Sequence, residues 1–123
     1  MQKKILIVDD SAPFRRVLSV SLQKNGFEVI EAEDGRDALK KASSEMPDLI
    51  VMDLMMPVYD GLEATRSIKA NTNLKDIPII ILSSRDEPHH RKNASLAGTD
   101  NFLIKPVKTE ELISEIKKLT TSI

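Results

Sequence analysis

Short apolar runs recur along the chain and are separated by longer segments with a different periodicity. Residues 5–8, 49–52 and 79–82 are apolar at every position and rich in β-branched side chains. Such runs are typical of strands that are buried on both faces of a parallel sheet. Residues 27–30 and 102–104 predict two further strands.

The intervening segments carry apolar residues three and four positions apart, which is the spacing of one helical face. The clearest examples are Phe14, Val17, Leu18 and Leu22, and later Leu112, Ile113 and Ile116. Five predicted strands therefore alternate with five predicted helices, an order that favours βαβ units and a parallel sheet.

Polar and glycine residues mark the ends of these helices. Gly26 and Gly98 follow two predicted helix ends, where a left-handed backbone is common. The candidate N-caps and capping boxes are Ser11, Asp34 with Asp37, and Asp60 with Glu63.

The segment 88–97 gives the weakest helical pattern. Only Ala94, Leu96 and Ala97 are available for burial, so we expect this helix to be the most mobile element. His89 and His90 lie in the same segment, and adjacent side chains point apart in both helices and strands. We therefore assign no metal or phosphotransfer role to these histidines.

Composition changes this picture little. The 123 residues fit one domain, which is expected to span residues 1–123. Acidic and basic residues are mixed along the chain, and the formal net charge is -1. We therefore expect no direct nucleic-acid or membrane partner. The chain has no cysteine, which excludes thiolate metal sites, and no apolar run near the ~20 residues that span a bilayer. A soluble, unprocessed, cytoplasmic protein is expected.

Chemically reactive side chains collect at the predicted strand ends. The five are Asp9, Asp10, Asp53, Ser83 and Lys105. In an open parallel sheet, ligands bind at the carboxyl ends of the strands, so these residues are predicted to meet in one crevice. Unit charges about 4 Å apart repel by about 4 kcal/mol at a dielectric near 20. A hard divalent cation such as Mg²⁺ would offset that repulsion.

Simpler explanations exist for some of these residues. Capping of the next helix would account for Asp10, but not for Asp9 or for Asp53, which lies well before any predicted helix. Ser83 could bond a loop amide. Lys105 could be solvated, although the carboxylates nearby favour a pairing role. Met52, Met55 and Met56 are interpreted as packing and loop residues rather than a cofactor site.

Four segments in order resemble the signatures of the response-regulator receiver family: IVDDS at 7–11, DLMMPVYDG at 53–61, ILSS at 81–84 and LIKP at 103–106. The resemblance covers about residues 4–118. It implies a flavodoxin-like (CheY-like) doubly wound α/β fold with strand order 2-1-3-4-5 and five flanking helices. It also implies a phosphorylation-activated switch in a two-component system, with a cis Lys105–Pro106 bond.

The resemblance assigns roles to individual residues. Asp53 resembles the phosphoacceptor, and the Mg²⁺ ligands would be Asp9, Asp10, Asp53 and the backbone carbonyl of Met55. The residues resembling the phosphoryl-binding and switch positions are Ser83, Lys105 and Phe102. Phe102 stands where many members have tyrosine, so it lacks that hydroxyl. Met55 and Arg85 are expected to tune the lifetime of the phosphoryl group.

The partners implied are a sensor histidine kinase or phosphotransfer protein and a downstream effector. The alternatives are a degenerate receiver that acts as an interaction scaffold and a small aspartate-nucleophile phosphatase. The phosphatase alternative is disfavoured, because such enzymes have an Asp-x-Asp loop after the first strand and this chain has Asp9, Asp10 and Ser11 there. A flavin-binding module is also disfavoured, because the first loop of this chain lacks the Ser-, Thr- and Gly-rich segment that would bind a flavin phosphate.

Overall fold

Five parallel strands alternate with five helices along the described residues. The computed structural model describes residues 2–56, 59–84 and 88–121, with the backbone alone at 88 and 89. The strands are β1 (Lys4–Val8), β2 (Glu28–Ala32), β3 (Leu49–Asp53), β4 (Ile79–Ser83) and β5 (Asn101–Ile104). The helices are α1 (Ala12–Lys24), α2 (Gly35–Glu45), α3 (Gly61–Ala70), α4 (Pro88–Ala97) and α5 (Thr109–Thr120).

The strands form one sheet in the order β2-β1-β3-β4-β5, which confirms the predicted topology. Every side chain of β3 and β4 is buried, because both faces of the sheet are covered by helices. One apolar cluster includes Leu6 and Ile50 with the inner faces of α2 and α3. The other includes Ile7 and Val51 with α1 and α5. The sheet therefore separates two cores.

The helix ends follow the predicted signals. Ser11 caps α1 by accepting the amide of Phe14 at 3.3 Å, and Asp34 caps α2 by accepting that of Asp37 at 2.8 Å. Asp60 accepts the amides of Leu62 and Glu63 at the start of α3. Gly26 and Gly98 have φ angles of +88° and +99° after α1 and α4. Within the part of the chain described, no helix is long and apolar enough to cross a membrane.

Three expectations about extent and burial were wrong. Val17, which the periodicity placed on the apolar face of α1, is 69% exposed. The second strand was expected at 27–30 but runs from Glu28 to Ala32, because its backbone pairs with β1 as far as the Val8–Ala32 register. Leu96 was expected to be buried, yet it is 75% exposed. Ala94 and Ala97 lie on one side of α4, and a residue one position before Ala97 points about 100° away from it.

Candidate functional site

The loop between β1 and α1 carries the first two acidic residues. Asp9 directly follows β1 and is 2% exposed, whereas Asp10 faces solvent. Oδ1 of Asp9 accepts the amide of Ser11 at 2.8 Å, and the Asp9 amide donates to the carbonyl of Ala32 at 3.2 Å. These bonds fix Asp9 between the sheet and the first turn of α1.

Asp53 is the last residue of β3 and supplies the third carboxylate. It is 7% exposed, and the next amide, that of Leu54, donates to the Leu82 carbonyl at 2.8 Å. The start of α3 lies against its backbone: a Cβ atom added to Gly61 would lie 2.4 Å from the Asp53 carbonyl oxygen. Glycine is therefore required at position 61 for α3 to approach this strand end.

Asp9, Asp10 and Asp53 form one acidic pocket, as their positions at the strand ends predicted. Each offers a carboxylate oxygen, and these oxygens lie within 4.8 Å of one another. Lys105, just past β5, places Nζ 3.0 Å from Oδ2 of Asp9 and 3.4 Å from Oδ1 of Asp53. Among the described ion pairs, Lys105 is the cation that contacts these carboxylates, so the pocket has more negative than positive charge.

This environment changes the ionisation of Asp53. Burial raises the pKa of Asp53 from its ordinary 3.8 to about 6. The nearby Lys105 ammonium opposes the increase, whereas the charges of Asp9 and Asp10 add to it. Proton binding at Asp53 therefore relieves both desolvation and repulsion, and a bound cation would relieve them in the same way.

The donor set of the pocket fits a hard divalent cation. It consists of carboxylate oxygens from two strand ends, one of them exposed at Asp10 and therefore reachable from solvent. Mg²⁺ prefers oxygen ligands and keeps several waters, so few protein carboxylates suffice. The described residues of the pocket fit magnesium better than a softer metal.

The other predicted site residues lie around this pocket at different depths. Ser83 ends β4, is fully buried, and its carbonyl accepts the amide of Lys105 at 2.7 Å. Met55 lies two residues beyond Asp53 and is 53% exposed. Phe102 is 9% exposed within β5, and the guanidinium of Arg91 lies 5.0 Å from the centre of its ring.

The remaining sequence predictions concern Arg85 and the Lys105–Pro106 bond. Arg85 lies outside the described residues. The peptide bond between Lys105 and Pro106 is cis, as the family resemblance implied.

Two residues of α1 were not foreseen as neighbours of the pocket. The ring centre of Phe14 lies 4.2 Å from Nζ of Lys105. Nη1 of Arg15 donates to the carbonyl oxygen of Asp9 at 2.6 Å. The helical periodicity identified Phe14 only as a core position, and no local pattern signals the bond made by Arg15.

The fold and the acidic pocket together define a CheY-like α/β domain, and comparison with known proteins places it in a family. Residues 5–117 match the family model of the response regulator receiver domain. Protein PilG of Pseudomonas aeruginosa is 40% identical over 114 residues, which cover 93% of this chain and 84% of PilG. PhoB of Escherichia coli, a phosphate regulon transcriptional regulatory protein, is 35% identical over 117 residues. That match covers 95% of this chain and 51% of PhoB, so the chain spans about half the length of such relatives.

Solved structures agree with this assignment. The chemotaxis protein CheY4 of Vibrio cholerae superposes with a TM-score of 0.92 at 34% identity, covering 97% of this chain and 99% of CheY4. The receiver domain of the sensor histidine kinase PA1611 of Pseudomonas aeruginosa gives 0.91 at 34% identity, covering 99% and 100%; its structure has a magnesium ion in the active-site cleft. The chain belongs to the response regulator receiver domain family, whose members are phosphorylation-dependent signalling switches.

Proposed function

We propose that Asp53 accepts a phosphoryl group from a sensor histidine kinase or a phosphotransfer protein. The observation that carries this proposal is the burial of Asp53 beside two further carboxylates and within 3.4 Å of Lys105. A carboxylate held among like charges has little structural reason to be there, whereas a phosphoryl acceptor needs both a nucleophilic oxygen and nearby cations.

The metal proposal concerns Asp9, Asp10, Asp53 and the backbone carbonyl of Met55. These groups would hold Mg²⁺, which when bound supplies positive charge to the equatorial oxygens of the phosphoryl group. A carboxylate oxygen of Asp53 attacks the phosphorus atom, and the phosphorus–nitrogen bond of the donor phosphohistidine breaks. The electron pair of that bond returns to the imidazole nitrogen. Lys105 contributes a further positive charge on the side of β5.

The switch proposal concerns the neighbouring strand ends. A phosphoryl group adds up to about two negative charges and three acceptor oxygens to Asp53. The Ser83 hydroxyl and the Lys105 ammonium would move toward these oxygens, and Phe102 would fill the space that is vacated. The altered surface of α4, β5 and α5 would then be recognised by a downstream effector protein or domain.

We further propose that residues 1–123 act as a single receiver domain that turns over no external substrate and catalyses only its own phosphorylation and dephosphorylation. The side chains of Met55 and Arg85 would control how quickly water reaches the phosphoryl group. Exchanging these two side chains should change the rate at which the label is lost, and an unchanged rate would refute that role.

The test is the intact mass of the protein after incubation with acetyl phosphate, with and without magnesium. We expect one phosphoryl group on the wild type, none without magnesium, and none on Asp53→Asn. Asp48→Asn is the matched control, because it makes the same change at the opposite end of the sheet and should label normally.

Two results would contradict the proposal. Full labelling of Asp53→Asn would show that a residue other than Asp53 accepts the phosphoryl group. No labelling of the wild type by acetyl phosphate or phosphoramidate would favour a receiver that acts only as an interaction scaffold.

A further inference from the structure

The guanidinium of Arg15 joins the acidic loop to the edge strand of the sheet. Nη1 donates to the carbonyl oxygen of Asp9 at 2.6 Å, and Nε donates to Oε1 of Glu31 at 3.0 Å. The other carboxylate oxygen of Glu31 accepts the hydroxyl of Ser19 at 3.1 Å. The Arg15 side chain is only 15% exposed, so these bonds are shielded from competing water.

This bridge acts on the peptide unit that links the first two acidic residues. On its amino side, the amide of Asp9 is bonded to the Ala32 carbonyl of β2. On the carboxyl side, the Asp9 carbonyl is held by Arg15, whose own amide donates to the carbonyl of Ser11 at 3.0 Å. The direction in which Asp10 leaves the strand end is therefore fixed from both sides.

Arginine suits this position because its planar fork can donate to two acceptors at once in a fixed geometry. Glu31 balances its charge and is itself oriented by Ser19. The guanidinium contacts the backbone of Asp9 and not its carboxylate, according to the described hydrogen bonds. Arg15 thus leaves the carboxylate oxygens of the pocket available to other partners.

We propose that Arg15, oriented by Glu31, is a positioning residue for the divalent-cation site at Asp9 and Asp10. This inference rests on the proposed function, because it concerns the metal ligands named there. Residues that orient metal ligands typically change metal affinity by about 10- to 100-fold when they are replaced.

The sign of the effect separates positioning from simple electrostatics. Removing a positive charge near an acidic pocket favours the binding of a divalent cation through Coulomb attraction alone. Removing a group that positions the ligands has the opposite effect. Arg15→Met should therefore weaken Mg²⁺ binding although it makes the protein more negative. Arg16→Met is the matched control, since Arg16 is the neighbouring, exposed arginine of the same helix.

The experiment is a magnesium titration followed by the amide NMR shifts of each variant. We expect Arg15→Met to raise the Kd for Mg²⁺ about tenfold. Arg16→Met should bind as tightly as the wild type or more tightly, and Arg15→Lys should lie between the wild type and Arg15→Met. Lysine keeps the charge but cannot make both bonds.

A second measurement needs no metal. The Ser11 amide, which donates to Oδ1 of Asp9, should exchange with solvent faster in Arg15→Met than in the wild type or Arg16→Met. If Arg15→Met does not fold, the magnesium titration and the exchange of the Ser11 amide are measured on Glu31→Gln and Arg15→Lys instead.

The outcomes distinguish the two proposals. If the wild type itself shows no magnesium-dependent shifts, the proposed metal site fails, and hydrogen exchange still decides whether Arg15 holds the loop. If the wild type binds magnesium and Arg15→Met binds it equally or more tightly, the positioning role is overturned. Unchanged exchange of the Ser11 amide in Arg15→Met would also overturn it.

Discussion

The two ends of the sheet use aspartate for opposite purposes. At the amino end, Asp48 precedes β3 and its Oδ2 accepts the amide of Lys4 at 2.7 Å. Asp100 precedes β5, and its Oδ2 accepts the amide of Ile79 at 2.8 Å while lying 3.6 Å from Nζ of Lys69. Each of these carboxylates satisfies a strand amide and faces solvent, so it stabilises the sheet at low cost.

At the carboxyl end, three carboxylates face one another. Asp9 and Asp53 are almost fully buried, and both depend on the single ammonium of Lys105 among the ion pairs of the described residues. The raised pKa of Asp53 shows that its charge is disfavoured here. An aspartate at a strand end is therefore informative about function only together with the groups that bond or pair with its carboxylate. Substitutions at the two ends should therefore change stability in opposite directions.

The largest expected effect is at Asp53. In magnesium-free buffer near pH 7.5, Asp53→Asn should stabilise the protein, because it removes a buried charge that is repelled by Asp9 and Asp10. The change in pKa from 3.8 to about 6 sets an upper limit of about 3 kcal/mol. Urea denaturation of both proteins with a chelator present measures the difference.

The pH dependence of this difference is fixed by the direction of the change in pKa. The folded protein holds the Asp53 proton more tightly than the unfolded chain does. The wild type therefore loses stability as pH rises from about 4 to about 6, and Asp53→Asn lacks that loss. The difference in unfolding free energy between the two proteins should increase over this interval and stay constant above pH 7. A variant that is less stable at pH 7.5, or a difference that does not vary with pH, would contradict this account.

The opposite end of the sheet provides the second prediction. Asp100→Ala leaves the Ile79 amide without its carboxylate acceptor and removes a carboxylate that pairs with Lys69, so it should destabilise the protein by about 1–3 kcal/mol. Labelling of the folded protein by acetyl phosphate should be unchanged. Asp76→Ala is the control, because Asp76 is exposed in the segment before β4. Equal stability of the two variants would show that the hydrogen bond from the Ile79 amide to the Asp100 carboxylate contributes little.

The sequence predicted the carboxyl ends of β1, β3, β4 and β5 to within one residue, because fully apolar runs have few alternative structures. Parallel strands then place these ends at one edge of the sheet. It missed the extent of β2, because Glu28 and Glu31 interrupt the apolar pattern and pairing with β1 decides where this edge strand ends. The bond from Arg15 to Glu31 spans 16 positions and depends on how α1 packs beside β2. No local spacing encodes such lateral contacts.

The smallest expected effect is at Phe14, whose ring centre lies 4.2 Å from the Lys105 ammonium. A cation–π contact of this kind contributes about 0.5–1 kcal/mol at a partly exposed site. Phe14→Leu keeps the apolar bulk but loses the ring, so Lys105 should be held less firmly beside Asp53. We expect labelling by phosphoramidate to slow by about two- to fivefold.

A small phosphoryl donor makes this test specific, because it does not require a partner protein to dock on α1. Val17→Ala is the control, since Val17 is on the same helix and 69% exposed. Labelling of Phe14→Leu at the wild-type rate would show that Asp9 and Asp53 hold Lys105 without the ring. Slowing of both variants would instead indicate a general effect of α1. Slower labelling of Phe14→Leu alone would show that Phe14, an uncharged aromatic residue, also belongs to the pocket at the carboxyl ends of the strands.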